Sequence, residues 1–139
     1  MTENEKYELV NKALCARGAS YSPYSGFAVG AALLTCDGEI FTGANIESAS
    51  YSPTVCAERV AFFSAVHKGK RDFKAIAIVG GPASENVKSF TAPCGVCRQV
   101  MAEFCDSDFE IILYNGDKLA SYTLAELLPE SFGKSNLDQ

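Results

Sequence analysis

The sequence predicts a mixed α/β fold, a sheet of parallel and antiparallel strands with helices on its faces. Three observations predict it. Strand-length apolar segments and stretches of helical periodicity follow one another in the order α-β-β-α-β-α-β-β-α. Two tight-turn signals, Asp37-Gly38 and Asn115-Gly116-Asp117, fold neighbouring strands into hairpins. The chain has 139 residues, 47% of them hydrophobic and 21% charged, which suits one soluble domain with a full core.

Residues 5–17 place Leu9, Val10, Ala13, Leu14 and Ala16 with helical spacing, and Gly18 supplies a stop. The turn-rich YSPYSGF loop follows, around Pro23 and Gly26. Residues 28–35 are an almost continuous apolar run, as a buried strand requires. Past Asp37-Gly38, residues 40–46 return antiparallel to it. A second loop, SASYSPT, leads to a helix over 55–68 that Thr54 would cap and Gly69 would end. Residues 73–80 are β-branched and apolar, hence a strand, and GGPASENVKSFTAP is a loop. A helix over 94–104 has Pro93 near its start. Residues 109–114 and 118–122 pair across the second hairpin, and a short helix over 124–128 stops at Pro129. No linker, repeat or low-complexity tract divides the chain, so residues 1–139 are expected to form a single domain. The tail after about residue 133, KSNLDQ, is expected to fray.

Charge and composition exclude several functions. Twelve Lys+Arg against seventeen Asp+Glu leave a net charge of −5, wrong for a protein that grips nucleic acid through its phosphates. A single histidine rules out any site that needs two imidazoles from one chain. The start, MTENEKYELVNK, is too charged for an export signal. The longest apolar stretches are far shorter than a membrane span of about twenty residues. The expected location is therefore the cytoplasm, with no membrane partner and with the six cysteines reduced. In that setting cysteines point to metal or catalysis before disulfides.

Two segments carry the chemistry: Cys56-Ala57-Glu58 at the second helix start and Pro93-Cys94-Gly95-Val96-Cys97 at the third. Residues three apart share a helix face, so Cys94 and Cys97 point the same way. A third sulfur from Cys56 would complete three legs of a tetrahedron and leave one position open, as in a catalytic zinc site. Helix N-termini also favour thiolate over thiol. The alternatives are a redox dithiol at Cys94/Cys97 and a structural zinc with a fourth cysteine. Cys15, Cys36 and Cys105 are the other cysteines, and all three suit small buried hydrophobes better. Glu58 could be an ordinary first-turn carboxylate that complements the helix dipole. Beside two zinc half-sites it fits better as the proton shuttle of a zinc deaminase, whose pattern joins a ligand-x-Glu segment to Pro-Cys-x-x-Cys.

The chain resembles the small homotetrameric, zinc-dependent cytidine deaminases of the cytidine/deoxycytidylate deaminase superfamily. The matching stretches are YSPYSGFAVGAAL (21–33), GANIESASYSPTVCAER (43–59), PCGVCRQV (93–100) and the ELLP-x-x-F run (126–132), in the family's order and spacing. The resemblance implies a three-layer α-β-α fold with a mixed five-stranded sheet, helices on both faces and an antiparallel last hairpin. It implies one zinc per chain on Cys56, Cys94 and Cys97, with Glu58 as general acid and base. It implies that Phe27 packs on the pyrimidine, that Asn45 and Glu47 hold the ribose hydroxyls, and that backbone around Ala57 meets the base edge. Ala49, Tyr51 and Phe132 would close the site from neighbouring subunits of a homotetramer. The implied reaction is hydrolytic deamination of cytidine and 2′-deoxycytidine to the uridines with release of ammonia, in pyrimidine salvage. Plainer readings exist: core packing for Phe27, a solvated strand edge for Asn45 and Glu47, and intrachain packing for Tyr51 and Phe132.

Three thiolates around Zn²⁺ leave one negative charge, which blunts the metal as a Lewis acid. Arg59, three residues after Cys56, is expected to donate to ligand sulfurs and offset that charge, with Arg98 as the lesser candidate and a surface ion pair as the plain alternative for Arg59. His67 lies near a helix C-terminus and is assigned no catalytic role. Polynucleotide-editing relatives place a helix between the last two strands and run them parallel. The Asn115-Gly116-Asp117 hairpin and the acidic charge oppose that reading. A blasticidin-type deaminase shares the motif block, but FAVGAAL and the Asn45/Glu47 pair favour a plain nucleoside. A non-enzymatic zinc module is the reading from a different class.

Overall fold

Helix α1 (Glu3–Arg17) begins earlier than its apolar periodicity suggests, because Thr2 and Glu5 form a capping box at its N-terminus. The structure is a computed structural model and describes residues 1–138. Strands β1 (Phe27–Thr35) and β2 (Ile40–Ala44) form the first hairpin, in the register Ala31 opposite Gly43. Helix α2 (Ala57–His67) follows, then β3 (Phe73–Pro82), α3 (Gly95–Phe104), β4 (Glu110–Tyr114), β5 (Leu119–Thr123) and two single-turn helices, α4 (Leu124–Leu127) and α5 (Lys134–Leu137). The sheet order is β2-β1-β3-β4-β5. Only β3 and β4 are parallel, and α3 supplies the crossover such a pair needs. β4 and β5 are an antiparallel hairpin, Glu110 opposite Thr123. The expected mixed five-stranded sheet with helices on both faces is therefore present.

Strand alternation divides the core into two layers of different grain. Leu33, Ile76, Ile78, Ile111 and Leu113 point to one face, where Phe62 of α2 and Met101 of α3 cover them. Ala32, Ala75, Ala77, Val79 and Ile112 point to the other, beneath Leu9, Val10 and Ala13 of α1. The α1 layer is fine-grained because the helix lies almost on the sheet. A Cβ at Gly30 would stand 2.0 Å from the Ala13 carbonyl oxygen. α2 makes a similar approach to β2, since a Cβ at Gly43 would stand 2.3 Å from the Ala57 carbonyl oxygen.

Two local expectations need correction. Thr54 does not cap α2: its hydroxyl accepts the Ser48 N–H at 3.0 Å, and Cys56 occupies the N-cap position. The loop needed that oxygen for its own turn, and a cysteine took the cap. Cys15 and Cys36 are exposed, and only Cys105 is half-buried. Cys15 lies on the α1 face turned away from Leu9, Val10 and Ala13, and Cys36 belongs to the β1–β2 turn. The tail after Gly133 carries the single turn α5, and Gln139 lies outside the described residues. At the other end of α2, Gly69 (φ 91°) donates to Val66 and Lys70 to Ala65, which stops the helix in the manner expected of a glycine after the cap. No helix among the described residues is long and apolar enough to cross a membrane.

The close approach at Gly43 predicts that Gly43→Ala lowers stability by about 1–3 kcal/mol in urea unfolding, the range for an overpacked contact. Gly95→Ala, where an added Cβ meets nothing within 4 Å, should stay within about 0.5 kcal/mol of the parent.

Candidate active site

The start of β1, the ends of β2 and β3 and the N-termini of α2 and α3 meet at one end of the sheet. Antiparallel pairing puts Phe27 opposite Pro82 and Gly30 opposite Ala44. Beyond β2 the chain stays extended: Ile46 bridges Tyr21 on one side and Val55 on the other. Its neighbours Asn45 and Glu47 then share a face. The N–H of Glu47 donates to Tyr21 at 2.9 Å, and Val55 and Ile46 exchange bonds of 2.9 and 3.0 Å. That stitching carries the chain directly into Cys56.

Cys56 occupies the N-cap position of α2, Cys94 that of α3, and Cys97 lies in the first turn of α3. Their sulfurs all lie within 4.8 Å of one another, and Cys56 Sγ is 3.7 Å from Cys94 Sγ. Two ligands at a Zn–S distance of about 2.3 Å stand about 3.8 Å apart in a tetrahedron. The cluster therefore fits a zinc ion held by three thiolates with the fourth direction free. Arg59 Nη2 donates to Cys56 Sγ at 3.4 Å. Arg98 turns away, to the carbonyls of Pro93 at 2.8 Å and Leu127 at 2.6 Å. The neighbouring Cys97 thiol, with Arg59 helping, pulls the Cys56 thiol down to about 5. Cys97 is pushed up by the same contact and by burial.

A cavity of about 340 Å³ opens beside the sulfurs. Phe27, Asn45, Glu47, Ala57 and Glu58 line it together with Cys56 and Cys94. Glu58 is only 3% exposed, and among the described residues its Oε1 has no hydrogen-bond partner. A buried oxygen without a partner in a cavity wall is an acceptor waiting for a polar ligand. Burial pushes the Glu58 carboxyl up to about 7, with the charge on Cys56 adding to the effect. The Asn45 side chain acts as a surrogate strand partner. Its Oδ1 accepts from Val29 N–H at 2.9 Å and from Ser20 Oγ at 2.6 Å, and its Nδ2 donates to the Phe27 carbonyl at 2.8 Å.

Ala49, Tyr51 and Phe132 do not line this cavity. Tyr51 lies on an adjoining one of about 410 Å³, is 74% exposed and adopts φ 62°. Ala49 is exposed, and Phe132 is 58% exposed with its carbonyl accepting from Gln99 at 2.8 Å. His67 ends α2. Ser25, Thr54, Val55, Thr91 and Ala92 also line the cavity and were missed from sequence. Four of them sit one to three residues before Cys56 or Cys94 in the chain, which was the available signal.

Comparison with known proteins is consistent with this geometry. Residues 3–113 match the family described as the cytidine and deoxycytidylate deaminase zinc-binding region. A cytidine deaminase of Sporosarcina psychrophila is 49% identical over 94% of this chain and 93% of its own length. One from Halalkalibacterium halodurans is 46% identical over 96% of this chain and 98% of its own. The crystal structure of cytidine deaminase from Burkholderia pseudomallei superposes with a TM-score of 0.84 at 44% identity, covering 95% of this chain and all of that one.

The Arg59–Cys56 contact predicts weaker metal retention in Arg59→Ala. Chelator competition should show zinc affinity reduced roughly 10–100-fold, the usual effect of removing a partner of a metal ligand.

Proposed function

The chain belongs to the cytidine and deoxycytidylate deaminase family, and on that premise we propose that it hydrolyses cytidine, and 2′-deoxycytidine alike, to the uridines and ammonia. The observation that carries the reading is the three-cysteine cluster opening on a cavity with a buried carboxyl whose Oε1 has no hydrogen-bond partner among the described residues. Zinc on Cys56, Cys94 and Cys97 would supply a water acidified enough to attack near neutral pH.

The remaining work falls to side chains. Glu58, with its carboxyl lifted to about 7, is suited both to take and to return a proton near neutrality. It accepts the proton of the attacking water and passes it to the ring nitrogen, then takes the proton of the newly added hydroxyl and gives it to the departing amine, so that the hydroxyl oxygen becomes the carbonyl of the product. Arg59 offsets the surplus negative charge of three thiolates. Phe27 offers an aromatic face to the flat pyrimidine. The free first-turn N–H groups of α2 around Ala57 suit the polar base edge. Asn45 and Glu47 hold the sugar hydroxyls.

The single domain would assemble as a homotetramer in the cytoplasm and serve pyrimidine salvage. The exposed Ala49, Tyr51 and Phe132 support that assembly: each would reach the site of a neighbouring subunit. The antiparallel β4–β5 hairpin and the net charge of −5 favour a free nucleoside over a polynucleotide.

Zinc-loaded protein is expected to turn over cytidine, followed by absorbance. Glu58→Ala should lose at least about 10²–10⁴-fold in kcat with zinc retained. An active Glu58→Ala would remove the proton relay, and a zinc-loaded wild type inert towards both nucleosides would move the substrate to another amino-heterocycle. Sedimentation should give a four-chain mass; a fully active monomer would overturn the shared site.

A further inference from the structure

The Glu47 carboxylate is gripped by its own chain before any ligand arrives. Its Oε1 accepts the N–H of Tyr24 at 3.0 Å and that of Ser25 at 3.1 Å, and its Oε2 accepts the Ser25 hydroxyl. The same hydroxyl oxygen accepts the N–H of Phe27 at 3.0 Å. One serine side chain therefore joins the acid on one wall of the cavity to the backbone that carries the aromatic ring on another. These bonds, the Ser25 hydroxyl foremost, hold the Glu47 carboxyl below the ordinary glutamate range.

A free glutamate side chain loses much rotamer entropy when a ligand fixes it. Here the fixing is done in folding, so a ligand meets a carboxylate already aimed. A carboxylate has about four lone-pair positions, and three are taken by Tyr24 and Ser25. What remains open is one acceptor direction, set by the serine. Tyr24 and Ser25 bring two consecutive N–H groups and a hydroxyl onto one carboxylate, and Gly26 directly after them, with φ 68°, turns the chain into β1 at Phe27.

We propose that Ser25 is a positioning residue for sugar recognition, aiming the Glu47 carboxylate at a ribose hydroxyl and tying that aim to the seat of Phe27. The proposal rests on the reading of Glu47 as a sugar contact. It makes Ser25 a determinant of how strongly the enzyme distinguishes a nucleoside with sugar hydroxyls from one without.

The test is kcat/KM for cytidine and for 2′,3′-dideoxycytidine in the wild type, Ser25→Ala, Ser25→Thr and Glu47→Gln, each with zinc content and melting temperature measured. A hydrogen bond to a charged group predicts a wild-type preference for cytidine of roughly tenfold or more. Glu47→Gln should shrink that ratio. Ser25→Ala should shrink it several-fold, Ser25→Thr should restore it, and the Glu47 carboxyl should titrate higher in Ser25→Ala. Displacement of Phe27 alone affects both substrates and cancels in the ratio. If Glu47→Gln shrinks the ratio while Ser25→Ala slows both substrates equally, Ser25 merely supports the loop and the proposal fails alone. If Glu47→Gln or the wild type shows no dependence on the hydroxyls, the sugar contact itself fails, and the proposal with it. Should Ser25→Ala not fold, Ser25→Cys, of similar size but a weak donor, gives the same comparison.

Discussion

Sulfur atoms from two different helices lie 3.7 Å apart, and most of the molecule serves to hold them there. Neither helix can do this locally. α2 is set by the close approach at Gly43 and by Phe62 packed among Phe73, Phe104 and Phe109. α3 is set by Met101 on the same face of the sheet. Both helices present their N-termini at the end where β1 begins and where β2 and β3 finish. The coarse, large-residue layer of the core is thus the scaffold of the metal site, and the α1 layer braces the sheet from behind.

Around the sulfurs, residues do two jobs at once. Asn45 extends the pairing of β1 beyond the end of β2 with its side chain, and it also lines the cavity. Arg17 spreads its guanidinium over the carbonyls of Ala28, Gly81, Pro82 and Glu85, tying the end of α1 to the start of β1, the end of β3 and the loop that follows it. That loop runs on to Cys94. A wall built this way resists displacement because moving it breaks backbone bonds as well as side-chain ones.

The legible parts of the sequence were those governed by short-range rules. Asp37-Gly38 and Asn115-Gly116 are local hairpin signals, and the β-branched apolar run 73–80 specifies a strand. Cys94 and Cys97 share a face by helix geometry alone. Their convergence with Cys56 depends on tertiary packing, and the family resemblance supplied it. The misjudged parts were contests between local partners. Thr54 had two uses for one hydroxyl, and the loop won. Cys15 had apolar neighbours in sequence but stood on the outer face of its helix. The clamp of Ser25 on Glu47 joins residues 22 positions apart, a separation that no periodicity reports.

The ligand sulfurs of Cys56 and Cys94 are separated by 38 positions, and β3 runs between them. An ion shared by them is therefore a cross-link that closes a long loop through the middle of the sheet, the kind of closure that removes much freedom from the unfolded chain. Because unfolded chain has no such cluster, free metal draws the folding equilibrium towards the native state by mass action. The bound ion is then a structural tie across the sheet as well as a chemical centre, and its removal would lower the stability of the whole fold.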